Sequence, residues 1–550
     1  MEDKGPFDRI LQPEPVRERD RTASIVVAAA VVLGLVLLVL VLPPLSLFSG
    51  GGGRAAVSGP VSAKARDQSP APPAGYESVS ALFDLVSKEP VRQSARLTVN
   101  LSVTAHEGDR LSLFTYQNDE WRRLTDAEAV ANGSAARGEV PLLPDNIAVF
   151  RQANQTRAVL GSLPAGAELD TQALGALTTL NIGGFFPVSN GSIAGDGPQL
   201  AADVNVAIAP TIGTGDQDQA GALNDILASP ELRAAHVQAI VNFVRDGGYA
   251  GIDLDYRAMD AANGEGFTSL ARDLSSALQA DGKSLTLTLP LPSQQGGEWD
   301  THGFDWPTLA SLVDAIKLAP EPDQSVYYTE MESVLGYLTP LVGGSKLLLT
   351  ISPYSHERAV DGVHELTLTE ALTQASLPAA QPAGAVAAGA TVQALGQNLA
   401  ATTGGSDLHW DDAVRAVTFS YTGAGGDRTI WLANVFSESF RLDLARRYEL
   451  GGVAIADVST RGADAAVWPA VRQYAQSGEV TLATPNGSLL MPSWSASAGT
   501  FASESGASVA WQAPQEAGEY VLTLVVSDGV TRVGQQMAIR VESSGAAGGP

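Results

Sequence analysis

Eight short apolar runs, spread over residues 158–476 and mostly separated by amphipathic stretches, constrain this chain more than anything else in it. They are Val159 to Leu163, Leu177 to Val188, Asn205 to Ile212, Gly251 to Tyr256, Leu285 to Leu291, Ala315 to Ala319, Leu347 to Pro353 and Val453 to Val458. Successive side chains of a strand point to opposite faces, so a short run that stays apolar predicts a strand covered on both sides. Helix-like segments sit between most of them: Glu231 to Arg245, Gly266 to Leu278, Pro307 to Val313, Met331 to Leu341 and Glu438 to Tyr448. Such alternation predicts a parallel sheet with helices outside it, and eight units favour a (β/α)8 TIM barrel over an open doubly wound sheet. The long interval between the seventh and eighth runs predicts an insertion after strand 7, a small subdomain around Arg358 to Ala433.

The flanks read differently, and 550 residues are too many for one ordinary domain, so the chain is expected to be multidomain. Residues 76–157 alternate in period two, as in RLTVNLSV (Arg96 to Val103) and RLSLFTYQ (Arg110 to Gln117), which predicts a small β domain. Residues 479–542 carry short β runs with Gly, Ser and Pro turns and resemble the immunoglobulin-like β-sandwich modules appended to bacterial surface proteins. Residues 543–550 are expected to be a disordered tail. At the other end, Ala23 to Leu42 are 20 positions without a charge, and the apolar character continues to Phe48. Twenty helical residues span about 30 Å, the hydrocarbon core of a bilayer, so 23–48 is expected to be a transmembrane helix. Five Lys/Arg precede it and three follow closely, which places residues 1–22 in the cytoplasm and the bulk of the chain outside the cell. Residues 49–75, rich in Gly, Ser, Pro and Ala, are expected to form a flexible linker.

Composition narrows the chemistry. With no Cys there is no disulfide framework, thiolate metal site or Cys nucleophile, and six His without HxxxH spacing give no metal motif. Neither a metal nor another cofactor is expected. The net charge of −26 argues against nucleic acid as a partner.

The densest chemical signal is Gly248 to Arg257, GYAGIDLDYR, across the fourth run. Polar residues at the C-terminal end of a barrel strand point into its mouth, and Asp253 and Asp255, two apart, share a face. Here the chain resembles glycoside hydrolase family 18, the chitinase family, in particular its spore-germination-type glucosaminidase branch. That family carries DGxDxDxE at the end of strand four. NVAIAPTIG on the third run, SLVDAIKLAP (Ser311 to Pro320), SKLLLTISPY (Ser345 to Tyr354) and the path from Leu408 to Val458 extend the resemblance in order. It implies hydrolysis of β-1,4 bonds beside N-acetylglucosamine, assisted by the substrate's own acetamido group. Asp255 would orient that group, Asp253 would support it, and the proton donor would fall at residue 257.

Residue 257 is Arg. A guanidinium does not release a proton near neutral pH, and beside Asp255 it would pair with that carboxylate. The motif's first Asp is Ala250, the family's Tyr–Asp pair after strand six aligns with Glu321 and Pro322, and its strand-eight Trp aligns with Ala456, followed by Asp457. The resemblance therefore implies a hydrolase fold with an impaired site, not an ordinary hydrolase. Glu321 is the candidate for a displaced acid. Phe185, Phe186 and Tyr354, with Trp410 and Tyr421, are candidates to stack on sugar rings. Three readings stand: a surface protein that binds peptidoglycan, a chitin-like polymer or an envelope protein; an active glycosidase using Glu321; and a purely structural envelope component.

Overall fold

The computed structural model describes residues 57–543 apart from 74–75, 89–92, 107–108, 118–119, 153–156 and 202–203. The predicted cytoplasmic tail, the predicted transmembrane helix and residues 544–550 lie outside the described residues. Among those described, no helix is long and apolar enough to cross a membrane. The chain divides into two units, 1–152 and 153–550.

The first unit is a nine-stranded antiparallel sheet curled around a core that includes Leu97, Val99, Leu113, Ile147 and Val149. It begins earlier than the sequence suggested. Val57–Ser58 pairs with Ala95–Asn100, and Val61–Ala65 pairs with Phe83–Ser87, inside the stretch read as linker. Val57 and Val61 are buried, and Arg66 forks onto Asp84 at 2.8 and 2.7 Å. Small, polar neighbours dilute the run enough that its two core-facing valines do not register as a strand.

In the second unit the barrel strands are β1 (Ala158–Leu163), β2 (Thr179–Ile182), β3 (Ala207–Ile208, resuming as Thr211–Gly213), β4 (Gly251–Asp255), β5 (Ser284–Leu289), β6 (Ala315–Leu318), β7 (Leu347–Ile351) and β8 (Gly452–Ile455). Each pairs in parallel with the next, and β8 pairs with β1, so the sheet closes on itself. Closure demands Gly at 452, because a Cβ there would lie 1.9 Å from the carbonyl oxygen of Ala158. β3 breaks at Pro210, which has no N–H to give the ladder. The Asn181 side chain donates to the Ala209 carbonyl across that break at 2.9 Å.

The helices are α1 (Gln217–Ala228), α2 (Pro230–Asp246), α3 (Gly264–Ala280), α4 (Trp306–Leu312), α5 (Tyr327–Val342), α6 (Leu368–Ala375), α7 (Val435–Arg447) and α8 (Trp468–Ser477). Four of them (α2 to α5) and α7 cover the five predicted segments. α1 was not among the predicted segments; it buries Leu223, Ile226 and Leu227, and Asp216 caps it by accepting from the Gln219 N–H. The run Leu177 to Val188 is not one strand. Gly184, at φ 105°, turns the chain after β2, and Phe185–Pro187 forms a hairpin with Ile193–Gly195.

The insertion opens directly after β7. Ser355–Ala359, Gly362–Leu366, His409–Asp411, Ala416–Gly423 and Gly426–Trp431 form a five-stranded antiparallel sheet. The rest of the insertion leaves that sheet and joins the chain's end. Thr391–Gly396 pairs with Ser508–Gln512, and Val386–Ala387 pairs with Arg532–Glu542. Two four-stranded sheets result, each mixing insertion and C-terminal strands, around a core containing Leu372 of α6, Val392, Trp511, Leu522 and Leu524. The module expected within 479–542 is therefore incomplete alone: strands from 378–396 finish both of its sheets.

Candidate active site

At the C-terminal mouth of the barrel every strand contributes to one cavity of about 230 Å³. Ser162, Asn181, Thr211, Asp255, Thr288, Lys317, Thr350 and Ala454 come from β1 to β8 in turn, and Arg257, Pro320 and Ala456 stand at its rim. This is the end of the fold where the connecting loops converge. The wall includes hydroxyls, an amide, short side chains and the charged residues Asp255, Arg257 and Lys317, and among the described residues no aromatic ring lines it.

Beneath the wall lies Asp253, fully buried. Thr211 on β3 and Thr286 on β5 stand beside it in register and donate hydroxyls at 2.9 and 2.7 Å. The Lys317 ammonium completes the shell at 2.7 Å and also reaches Asn181 Oδ1 at 3.4 Å. Lys317 is itself 4% exposed. A carboxylate out of reach of water needs such partners to stay ionised, and once it has them it is no longer available to assist a neighbour. The sequence reading missed Lys317, although one visible signal was a lone lysine in the otherwise apolar AIKL of β6.

Asp255 lies one step higher on the same face, on the cavity wall. Arg257 grips it with two parallel bonds, Nε to Oδ1 at 2.6 Å and Nη2 to Oδ2 at 2.7 Å. The fork geometry makes this among the strongest side-chain pairings a protein offers. Asp255, the largest influence, raises the guanidinium's pKa further still, despite the opposing effect of burial. Both Asp255 oxygens are taken up by this pairing. The cavity therefore holds no free carboxylic acid and no carboxylate positioned to receive an acetamido N–H without first breaking that fork.

The other candidates scatter. Ala456 is on the rim, leaving open space where a ring could have stood. Phe185 instead packs edge-on against Phe243 of α2, with centroids 4.9 Å apart, and neither it nor Phe186 lines the cavity. Glu321 is half-buried, and burial raises its pKa, as a general acid requires. Its Oε1, however, accepts the Asp323 N–H at 2.8 Å within its own turn, and Pro320 reaches the wall in its place. Tyr354 is buried and donates its hydroxyl to Asp457, whose other oxygen accepts the Ser459 N–H at 2.7 Å. Tyr421 donates to buried Glu357 at 2.6 Å, and Trp410 leans on Phe440 of α7. These rings are consumed by packing and hydrogen bonds, not presented to a ligand.

Outside the barrel wall, between α5 and α7, lies a second buried ionic group that sequence reading did not find. Glu438 is fully buried and pairs with Arg441, which also donates to the Gln324 side chain and stacks on Tyr327. Burial pushes the Glu438 carboxyl up to about 7 against the pull of Arg441, and burial pushes His356 nearby down to about 3. The sequence FSESFRLDLARR gave no amphipathic warning of it, because α7 buries charged residues beside apolar ones.

Comparison with known proteins gives the same answer as the geometry. The family model described as glycosyl hydrolases family 18 matches residues 169–460, just over half of the chain. The protein named sporulation-specific glycosylase YdhD of Bacillus subtilis (strain 168) is 24% identical over 143 residues, 24% of this chain and 34% of its own. Chitotriosidase-1 of Mus musculus is 28% identical over 127 residues, 21% of this chain and 26% of its own. The chain thus spans about a third or less of the length of these curated relatives. Among solved structures, a chitinase from Chromobacterium violaceum ATCC 12472 aligns with TM-score 0.46 at 19% identity, over 58% of this chain and 98% of that one. The closed eight-stranded parallel barrel with its polar C-terminal mouth, together with the family match, places this chain in glycosyl hydrolases family 18.

Proposed function

We propose that this chain displays a family 18 barrel outside the cell, where it holds N-acetylglucosamine-containing glycan, peptidoglycan or a chitin-like polymer, without ordinary hydrolysis. In this reading it is a pseudoenzyme carried on an N-terminal single-pass membrane helix, with an immunoglobulin-like sandwich as its C-terminal module. The curated relatives, named as a sporulation-specific glycosylase and a chitotriosidase, support the ligand class. The observation that carries the loss of hydrolysis is the bidentate Arg257–Asp255 pair. Arg257 stands where the family's proton donor stands, and a guanidinium held to a carboxylate keeps its proton. Asp255, which would have to orient the acetamido group, is occupied by the same contact.

Loss of a general acid removes a factor of about 10² to 10⁴ in rate. The purified full chain, assayed on chitotetraose and on peptidoglycan for new reducing ends, is expected to fall at least about 10²-fold below an active family 18 chitinase. It is expected to retain both ligands in a sedimentation or calorimetric binding assay. Glu321→Gln is expected to leave both results unchanged. Turnover at ordinary rates would end this reading, and turnover abolished by Glu321→Gln would replace it with a displaced-acid glycosidase. Absence of any glycan binding, together with tight co-purification of an envelope protein, would replace it with a structural role.

A further inference from the structure

Three features of the mouth point to one kind of ligand. The first is donor supply. Arg257 uses Nε and Nη2 on Asp255, and among the described residues its Nη1 makes no hydrogen bond, while its side chain is 41% exposed. Lys317 carries three N–H bonds on Nζ and has two acceptors, one of them distant at 3.4 Å. Both cations line the same cavity.

The second is the direction of the ion pairs. Of the Lys317–Asp253 pair only Lys317 is a lining residue, while Asp253 lies behind the wall, fully buried. Asp255 is on the wall, but both its oxygens are covered by Arg257. The lining therefore carries two cationic residues and one carboxylate, with the balancing Asp253 held behind the wall.

The third is an orphan. The Thr350 hydroxyl is buried in the wall, the residue is 8% exposed, and the hydroxyl has no hydrogen-bond partner. A buried polar atom without a partner costs free energy that a ligand oxygen would relieve. Neutral sugars are usually gripped by aromatic faces, and this cavity has none. Its volume of about 230 Å³ is less than that of a typical drug-sized pocket and suits one sugar ring, not an oligomer.

We infer that the barrel mouth is a binding site for a single acidic sugar, a ring bearing a carboxylate, with that carboxylate held by Arg257 and Lys317 and a ring hydroxyl by Thr350. This rests on the glycan-binding reading and specifies which residue of a glycan the mouth recognises. A charge-assisted contact from a fork donor that is already oriented by Asp255 costs little ordering on binding.

The test is calorimetric or ligand-observed NMR titration of the full chain with paired probes: N-acetylmuramic acid against N-acetylglucosamine, and glucuronate against glucose, with acetate as a bare carboxylate. Each acid is expected to bind about 10-fold or more tighter than its neutral partner, as one charge-assisted hydrogen bond allows. Acetate is expected to bind more weakly than either acid sugar. Arg257→Gln is expected to abolish most of the acid preference, and Arg257→Lys to retain part of it. Thr350→Val is expected to weaken acid and neutral sugars alike. Circular dichroism of each variant checks that the fold is intact. Equal or tighter binding of the neutral sugars would overturn the inference while leaving glycan binding in place. So would an acid preference that survives Arg257→Gln, or acetate binding as tight as the acid sugars. If neither these sugars nor chitotetraose bind, the glycan reading falls with it.

Discussion

Replacing Lys317 with methionine is expected to destabilise the barrel by about 3–5 kcal/mol, the usual result of removing one member of a buried ion pair. The remaining Asp253 would be fully buried, with only the Thr211 and Thr286 hydroxyls as donors. The variant leaves that buried side chain without the cation that offsets the cost of its burial. Denaturant unfolding followed by tryptophan fluorescence measures the loss, read from the transition that reports on the barrel. The double variant Asp253→Asn, Lys317→Met is expected to recover most of it, since an amide accepts the threonine hydroxyls without a charge. A cost below about 1 kcal/mol for Lys317→Met, or simple additivity in the double variant, would show that the pair is not coupled as drawn.

Arg441→Met is the second large effect, also expected at about 3–5 kcal/mol, and its pH dependence has a definite sign. In the parent, the Glu438 carboxyl has an ordinary value of 4.5 and is pushed up to about 7 in the folded chain. A carboxyl raised on folding binds its proton more tightly in the native state. Its contribution is therefore fully present below about 4.5 and is lost as pH rises through about 7. Above that, the parent carboxylate is ionised against Arg441 and stability stops falling on its account. Without Arg441, the isolated carboxyl should hold its proton to still higher pH, so the variant keeps losing stability where the parent has levelled off. Unfolding curves at pH 6, 7 and 8.5 are expected to show the cost of Arg441→Met growing across the last interval. A cost that shrank there would mean that Glu438 is not the group in question.

Most of the barrel strands were legible because they are buried on both faces and so leave short, largely apolar runs, as LTLTL in β5 and LLLTI in β7 show. The placement of Asp253 and Asp255 on one inward face followed from their spacing of two. What could not be read was which distant residue would meet them. Lys317 lies 64 positions from Asp253, and nothing in AIKL says that its ammonium will turn inward to a carboxylate on another strand. The packing of Phe185 was out of reach for a related reason. The turn at Gly184 directs the hairpin so that Phe185 lies against α2, and a single glycine in a GG pair does not reveal that direction. Partner choice also escaped in the C-terminal strands: alternation marks SVAWQ as a strand but does not say that it will pair with TVQALG.

That last pairing has a consequence for biogenesis. Each of the two sheets combines insertion strands with C-terminal strands, and β8 and α8 lie between the two groups along the chain. During synthesis, residues 378–396 emerge more than a hundred positions before their partners at 508–512, and the two sheets cannot form until synthesis has passed residue 542. Val392 and Ala394, fully covered in the finished protein, must wait unprotected until then. The C-terminal segment is for that reason not an exchangeable cassette: a stop codon before Ser508 would leave a barrel trailing an unmatched, aggregation-prone half-sandwich.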